Sequence, residues 1–336
     1  MSAAPAPAGI VRVVDTALPL IDLHRHIEGS VRLATVLDLA RRHGVALPAT
    51  DVAGLLPHVQ VTEPQPGVMA FIARFVWIQR VLADAAACRR VAREAVEDAA
   101  REGIDYLELR FSPLFMAEAH ALDPDAVVAS VVEGVDQGRA ATGIGVSLIG
   151  ILSRTYGVEA CRRELDALLT RRDRIVALDL AGDEANFPCA LFRDHFARAR
   201  DAGWQVTIHA GEAAGPENVW SAIRDLGATR IGHGVRAMED PALIEHLRTH
   251  RIGVEASLTS NVQTMTVPDY RSHPIKRMLA AGIRASLNTD DPAVSGIDLA
   301  HELGVAAPAA GLDAGEIRQA RVNAVAMAFA DPRHAD

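Results

Sequence analysis

Close to the N-terminus an apolar run ends in His24-Arg25-His26, two imidazoles spaced two residues apart. In an extended strand, side chains at that spacing leave on one face. The pair therefore offers half of a zinc site. Three further stretches carry complementary chemistry, residues 207–212, 230–234 and 286–292, and they contribute His209, Glu212, His233, Asp290 and Asp291. His24, His26, His209 and Asp290 supply three nitrogens and one carboxylate, a set that holds a catalytic zinc and leaves a position for water. Glu212, three residues past His209, is placed to trade protons with a substrate, because burial raises a carboxyl toward the working range. His233 is expected to touch the metal's water, with its flanking glycines leaving room for substrate. Asp291 must diverge from Asp290 and is expected to serve the nucleophile. Pro292 disfavours helix at the residue before it, so the Asp290-Asp291 pair is expected to be extended.

These groups need a scaffold that brings strand ends together. Apolar, strand-like runs recur at 18–24, 104–110, 144–152, 175–181, 204–209, 230–233, 252–257 and 283–288. Their near-continuous hydrophobicity suits parallel strands covered on both faces. Helical patterns lie between them, and Gly103, Gly143, Gly203, Gly227, Gly253 and Gly282 stand where helix C-caps prefer glycine. Eight strands alternating with helices predict an α/β fold, a (β/α)8 TIM barrel, whose catalytic groups gather at the C-terminal strand ends. A doubly wound sheet is the alternative, but no Gly-rich phosphate loop follows the first strand.

The connection from about 27 to 102 is long enough to be a helical insertion between strands one and two. Within it Phe71, Phe75, Trp77, Ile78, Val81 and Leu82 fall at helical spacing. They read as a face packed on the barrel, or as a lid that excludes water. If extension continues past His26, Glu28 shares the parity of the two histidines and faces the barrel mouth.

Composition bounds the partners. The chain of 336 residues is 49% hydrophobic and 23% charged, with a formal net charge of −9. That balance describes a globular protein and disfavours attraction to nucleic acid or an anionic membrane. Residues 1–9 read as a loose Ala/Pro-rich tail without the features of a signal peptide, and 10–336 as one metal-dependent domain. Three scattered cysteines, Cys88, Cys161 and Cys189, offer no disulfide framework or Cys-rich metal site and suit the cytoplasm. No reading of subunit number follows.

The stretches 177–184 (ALDLAGDE), 209–216 (HAGEAAGP), 230–235 (RIGHGV) and 288–292 (NTDDP) resemble the signatures of the adenosine deaminase family, and the likeness runs from about Leu18 to Phe329. The resemblance implies zinc held by His24, His26, His209 and Asp290. It implies that Glu212 gives a proton to purine N1, and that His233 and Asp291 orient the attacking water, Asp291 also meeting N7. Gly182 would offer a backbone contact to N3, His26 would line the substrate site, and the partner would be a small purine nucleoside. One position departs from the pattern. Glu28 stands where adenosine-specific members have Asp, which contacts the ribose 5′-hydroxyl, and members acting on free adenine or other adenine-bearing compounds often have Glu. Remaining alternatives are a binuclear amidohydrolase, which would need a carbamylated Lys at strand four where only the distant Lys276 exists, and a non-catalytic purine-binding barrel.

Overall fold

The computed structural model describes residues 17–331, so the proposed tail at 1–9 lies outside the described residues. Eight strands follow in order: β1 (Ile21–His26), β2 (Tyr106–Phe111), β3 (Gly145–Ser153), β4 (Ile175–Ala181), β5 (Gln205–Ala210), β6 (Arg230–His233), β7 (Gly253–Ala256) and β8 (Arg284–Leu287). Each pairs in parallel with the next, and helices pack outside them. This is the predicted (β/α)8 barrel. Branched residues such as Ile149, Ile151, Ile208, Ile231 and Val254 are buried, as strands covered on both faces require.

The seam between β8 and β1 is closed by only a few bonds. The Asp290 N–H donates to His24 O at 2.8 Å, and the His26 N–H donates to Asp290 O at 2.8 Å. Side chains complete the seam: Asn288 Oδ1 accepts the Leu23 N–H at 3.0 Å, and the Thr289 hydroxyl donates to Asp22 at 2.6 Å. Closing the barrel thus staples Asp290 between the two histidines of β1. Asp290 is not extended as Pro292 suggested but left-handed, with φ 63°. Two opposed backbone bonds hold it in that strained region, which Asp tolerates better than most residues.

Five helices fill the long connection: α1 (Leu33–His43), α2 (Val52–Val59), α3 (Val68–Ile72), α4 (Val76–Val81) and α5 (Ala85–Arg101). The aromatic stripe is therefore not one helix but α3 and α4 joined by a 3-10 turn. Five of the six proposed cap glycines have positive φ, but Gly253 does not, because it already belongs to β7 and Arg251 (φ 55°) makes the left-handed turn. Among the described residues no helix is long and apolar enough to cross a membrane.

Candidate active site

His24 and His26 leave the end of β1 on one side, His209 ends β5, and Asp290 sits at the seam after β8. One ligand atom from each lies within 4.8 Å of the others, and among the described residues this is the one such group. Asp290 Oδ1 stands 3.2 Å from His24 Nε2 and 3.2 Å from His26 Nε2. The outer nitrogens are occupied elsewhere. His24 Nδ1 meets Glu255 Oε2 at 2.8 Å, and His209 Nδ1 meets Asp179 Oδ2 at 2.9 Å. Carboxylates on Nδ1 fix the tautomer and turn each Nε2 lone pair inward, the usual support for a metal-bound imidazole. His24 Nε2 is buried with no hydrogen-bond partner, and burial pushes His26 down to about 4, which keeps it neutral. Inward nitrogens, one carboxylate and an orphaned buried donor atom fit a divalent metal ion.

A single cation ties the two supports together. Arg110 on β2 donates Nη1 to Asp179 at 2.8 Å and Nη2 to Glu255 at 2.7 Å. Arg230 joins Glu255 to Glu108 beneath. Burial opposes the charge of Arg110, but Glu255 and Asp179 more than offset it. The apolar pattern of the strands gave no sign of this lattice. Its only trace in sequence is the set of charges interrupting β2, β4, β6 and β7, namely Glu108, Arg110, Asp179, Arg230 and Glu255.

Glu212, His233 and Asp291 line the same mouth. Glu212 follows β5 in a loop whose backbone N–H groups at Gly211, Glu212, Ala213 and Ala214 all donate to Glu184, at 2.6 to 3.2 Å. Glu184 belongs to the 177–184 stretch, yet sequence reasoning assigned it no role. Its carboxylate gathers the loop and so sets where Glu212 points. Burial first, then the charges of Asp290 and Glu184, hold the Glu212 carboxyl well above the usual range. His233 Nε2 lies 3.6 Å from Glu212 Oε2 and 3.9 Å from Asp290 Oδ2. The glycines beside His233 do not clear a path for substrate. A Cβ on Gly232 would stand 3.0 Å from the His24 ring, and one on Gly234 would meet Val254 and Ile231. They make room for the His24 ring and for the core.

Asp291 is buried, its Oδ1 unpartnered, and burial together with neighbouring carboxylates raises it well above its ordinary value. Gly29 packs so closely on it that a Cβ there would fall 1.8 Å from Asp291 Oδ1. Glu28 does not continue the strand. It begins the 3-10 turn Glu28–Ser30, so parity with His26 is lost. Its carboxyl still reaches the cavity: Oε1 accepts the Ser112 N–H at 2.7 Å, and Oε2 is buried without a partner. Gly182 also lines the cavity, with φ 107° and no room for a Cβ beside Thr155. The cavity measures about 380 Å³, within the range of about 300–1,000 Å³ typical of small-molecule sites. Phe71, Phe75 and Val76 form its apolar wall, so the insertion both packs on the barrel and bounds the site. Lys276 pairs with Glu316 outside and contributes nothing here. His246 and His250 stack on each other on the outer helix Pro241–His250.

Residues 19–335 match the family model described as adenosine deaminase. The chain is 58% identical over 317 residues to an adenosine deaminase of Klebsiella pneumoniae subsp. pneumoniae, covering 94% of this chain and 95% of that protein. Among solved structures it resembles the adenine deaminase of Arthrobacter aurescens, with a TM-score of 0.87 at 25% identity over 95% of this chain and 96% of the other. An Arabidopsis N6-mAMP deaminase aligns with a TM-score of 0.80 at 27% identity, over 95% of each chain. With the family model spanning nearly the whole sequence and a relative this similar, the chain belongs to the adenosine deaminase family.

Proposed function

We propose that the protein hydrolyses adenosine and deoxyadenosine to inosine and deoxyinosine, releasing ammonia. The observation that carries this is the buried carboxyl of Glu212, which lines one cavity beside the His24, His26, His209 and Asp290 group. Zinc suits three imidazoles and a carboxylate, and the carboxylates of Glu255 and Asp179 hold the outer nitrogens of His24 and His209 in support. When bound, zinc would supply Lewis acidity that brings the pKa of water toward neutrality.

The chain's own groups perform the rest. Glu212 donates its proton to purine N1 as water adds at C6, which removes the build-up of negative charge on the ring. Asp291, kept protonated by burial, has an O–H for purine N7, and the Gly182 N–H serves N3. His233 orients the water from beside Glu212. Proton return through Glu212 lets the C6 amino group leave as ammonia, so water and adenosine balance inosine and ammonia. Glu28 Oε2, on a carboxyl that burial raises to about 8, hydrogen-bonds the ribose 5′-hydroxyl. The apolar wall at Phe71 and Phe75 displaces bulk water and strengthens each of these contacts. Three buried thiols, none in a disulfide, accord with a cytoplasmic location.

A preference for free adenine is the competing reading, and Glu28 is the residue that favours it. Purified protein assayed for ammonia against adenosine, deoxyadenosine and adenine separates the two. Adenosine and deoxyadenosine should be turned over fastest, with Glu212→Gln slower by on the order of 10²–10⁴-fold. Faster turnover of adenine overturns the nucleoside assignment.

A further inference from the structure

Behind Glu212 and His233 lies a chain of side chains that the reaction above does not use. His273, buried, accepts the Ile275 backbone N–H on Nδ1 at 3.1 Å. A backbone N–H can only donate, so Nδ1 carries a lone pair and the ring proton resides on Nε2. Burial pushes His273 down to about 3, which agrees with a neutral ring. Nε2 lies 3.1 Å from Asn261 Oδ1, and there it donates. This fixes which end of the Asn261 amide is oxygen. The opposite end, Nδ2, stands 3.1 Å from His233 Nδ1 and 3.5 Å from Glu212 Oε1. An amide NH2 can only donate, so His233 Nδ1 must accept.

The direction of every bond therefore follows from one backbone N–H. His233 is left with its proton on Nε2, the atom aimed between Glu212 Oε2 and Asp290 Oδ2. The opposite tautomer would set Nδ1–H against the Asn261 NH2, and so would an imidazolium. Both are excluded by the same donor-to-donor clash. Asn261 itself cannot turn away. It is fully buried in the helix Leu258–Gln263, its own N–H bonds Ser257 O at 3.0 Å and its C=O accepts the Val267 N–H at 3.0 Å. The N-terminus of that helix is anchored in turn by Glu302, which accepts the N–H groups of Leu258 and Thr259.

We propose that Asn261, oriented by His273, is a positioning residue that locks His233 in the Nε2–H tautomer and so makes it a hydrogen-bond donor toward the reaction centre. The role rests on the deaminase reading only in that His233 faces the reacting water; the tautomer itself is independent of substrate. It also restricts what His233 does. A ring whose inward nitrogen already holds the proton presents an N–H to the water oxygen, and water's proton goes to a carboxyl instead. A wrong tautomer beside a reaction centre costs up to about 10⁴-fold in a catalytic triad, so the lock carries a large share of the rate.

The test is 15N NMR of metal-replete protein labelled at histidine, with the His233 signals assigned by their loss in His233→Gln. Wild type should show an unprotonated Nδ1 and a protonated Nε2. Asn261→Asp keeps the volume and the bond from His273 but offers His233 an acceptor, so the proton should move to Nδ1. Its kcat should fall by at least about 100-fold while KM shifts by less than about threefold. His273→Leu frees the Asn261 amide and should give mixed tautomers with reduced kcat, whereas His273→Gln restores a donor to Asn261 and should recover most of it. A wild-type His233 protonated on Nδ1 overturns the proposal, and that reading needs no variant to fold. An unchanged tautomer in Asn261→Asp overturns it as well. Failure to deaminate adenosine would leave these NMR outcomes intact and would count against the nucleoside assignment alone.

Discussion

Beneath the His24, His26, His209 and Asp290 group, Arg110, Asp179, Glu255, Arg230 and Glu108 form a continuous ionic lattice, each member no more than 2% exposed. Above the cavity, the residues between Val68 and Val76 that line it are apolar, and the outer members Met69 and Val76 are 42% and 37% exposed. The floor holds its shape by charges that have no alternative partner once buried. The wall holds by contacts that are individually weak and replaceable. The geometry of the reaction should thus depend steeply on single floor residues, whereas the wall should tolerate change and tune binding.

The sharpest way to break this contrast is Arg110→Met. Removing one partner of a buried charge group costs about 3–5 kcal/mol, and here two carboxylates lose their shared cation while each holds a histidine of the candidate metal site. Thermal unfolding should shift downward, and metal content should fall well below that of wild type. A variant with unchanged Tm and full metal content would remove the floor from the account.

Glu28→Ala lies between the two regions and should act moderately. Burial raises the Glu28 carboxyl to about 8, so near neutral pH the bond lost is one to an uncharged group, worth about 0.5–1.5 kcal/mol, and kcat/KM for adenosine and deoxyadenosine falls roughly two- to tenfold. Any activity on adenine should be unchanged, since adenine lacks the hydroxyl. Steady-state kinetics on the three substrates checks this, and equal losses on all three would move Glu28 from sugar recognition to general support.

On the wall, Met69→Ala should leave stability within about 0.5 kcal/mol and raise KM no more than about threefold. A loss comparable to that of Glu28→Ala would show that the wall is as exacting as the floor.

Sequence alone reveals these two regions unequally. His24, His26, His209, His233 and Asp290 stand at the ends of apolar runs, a local pattern that barrel topology turns into one cluster. The floor was hidden because its bonds link strands remote in the chain. Arg110 and Glu255 are 145 positions apart, and no local period records their contact. Backbone detail was likewise set by tertiary bonds. Asp290 turns left-handed because the seam holds it from both sides, and Glu28 leaves the strand for a 3-10 turn while its carboxyl still finds the cavity. Asn261 offered no signal beyond being one of several polar residues in a short helix, and its meaning came only from the partners on either side.

The most direct measurement is a zinc titration of metal-stripped protein, with inosine formation from adenosine followed at each addition. The donor set of three imidazoles and one carboxylate predicts no turnover at the start and a linear rise that saturates at about one zinc per chain. Full turnover by verified metal-free protein, or saturation only at about two metals per chain, would contradict it.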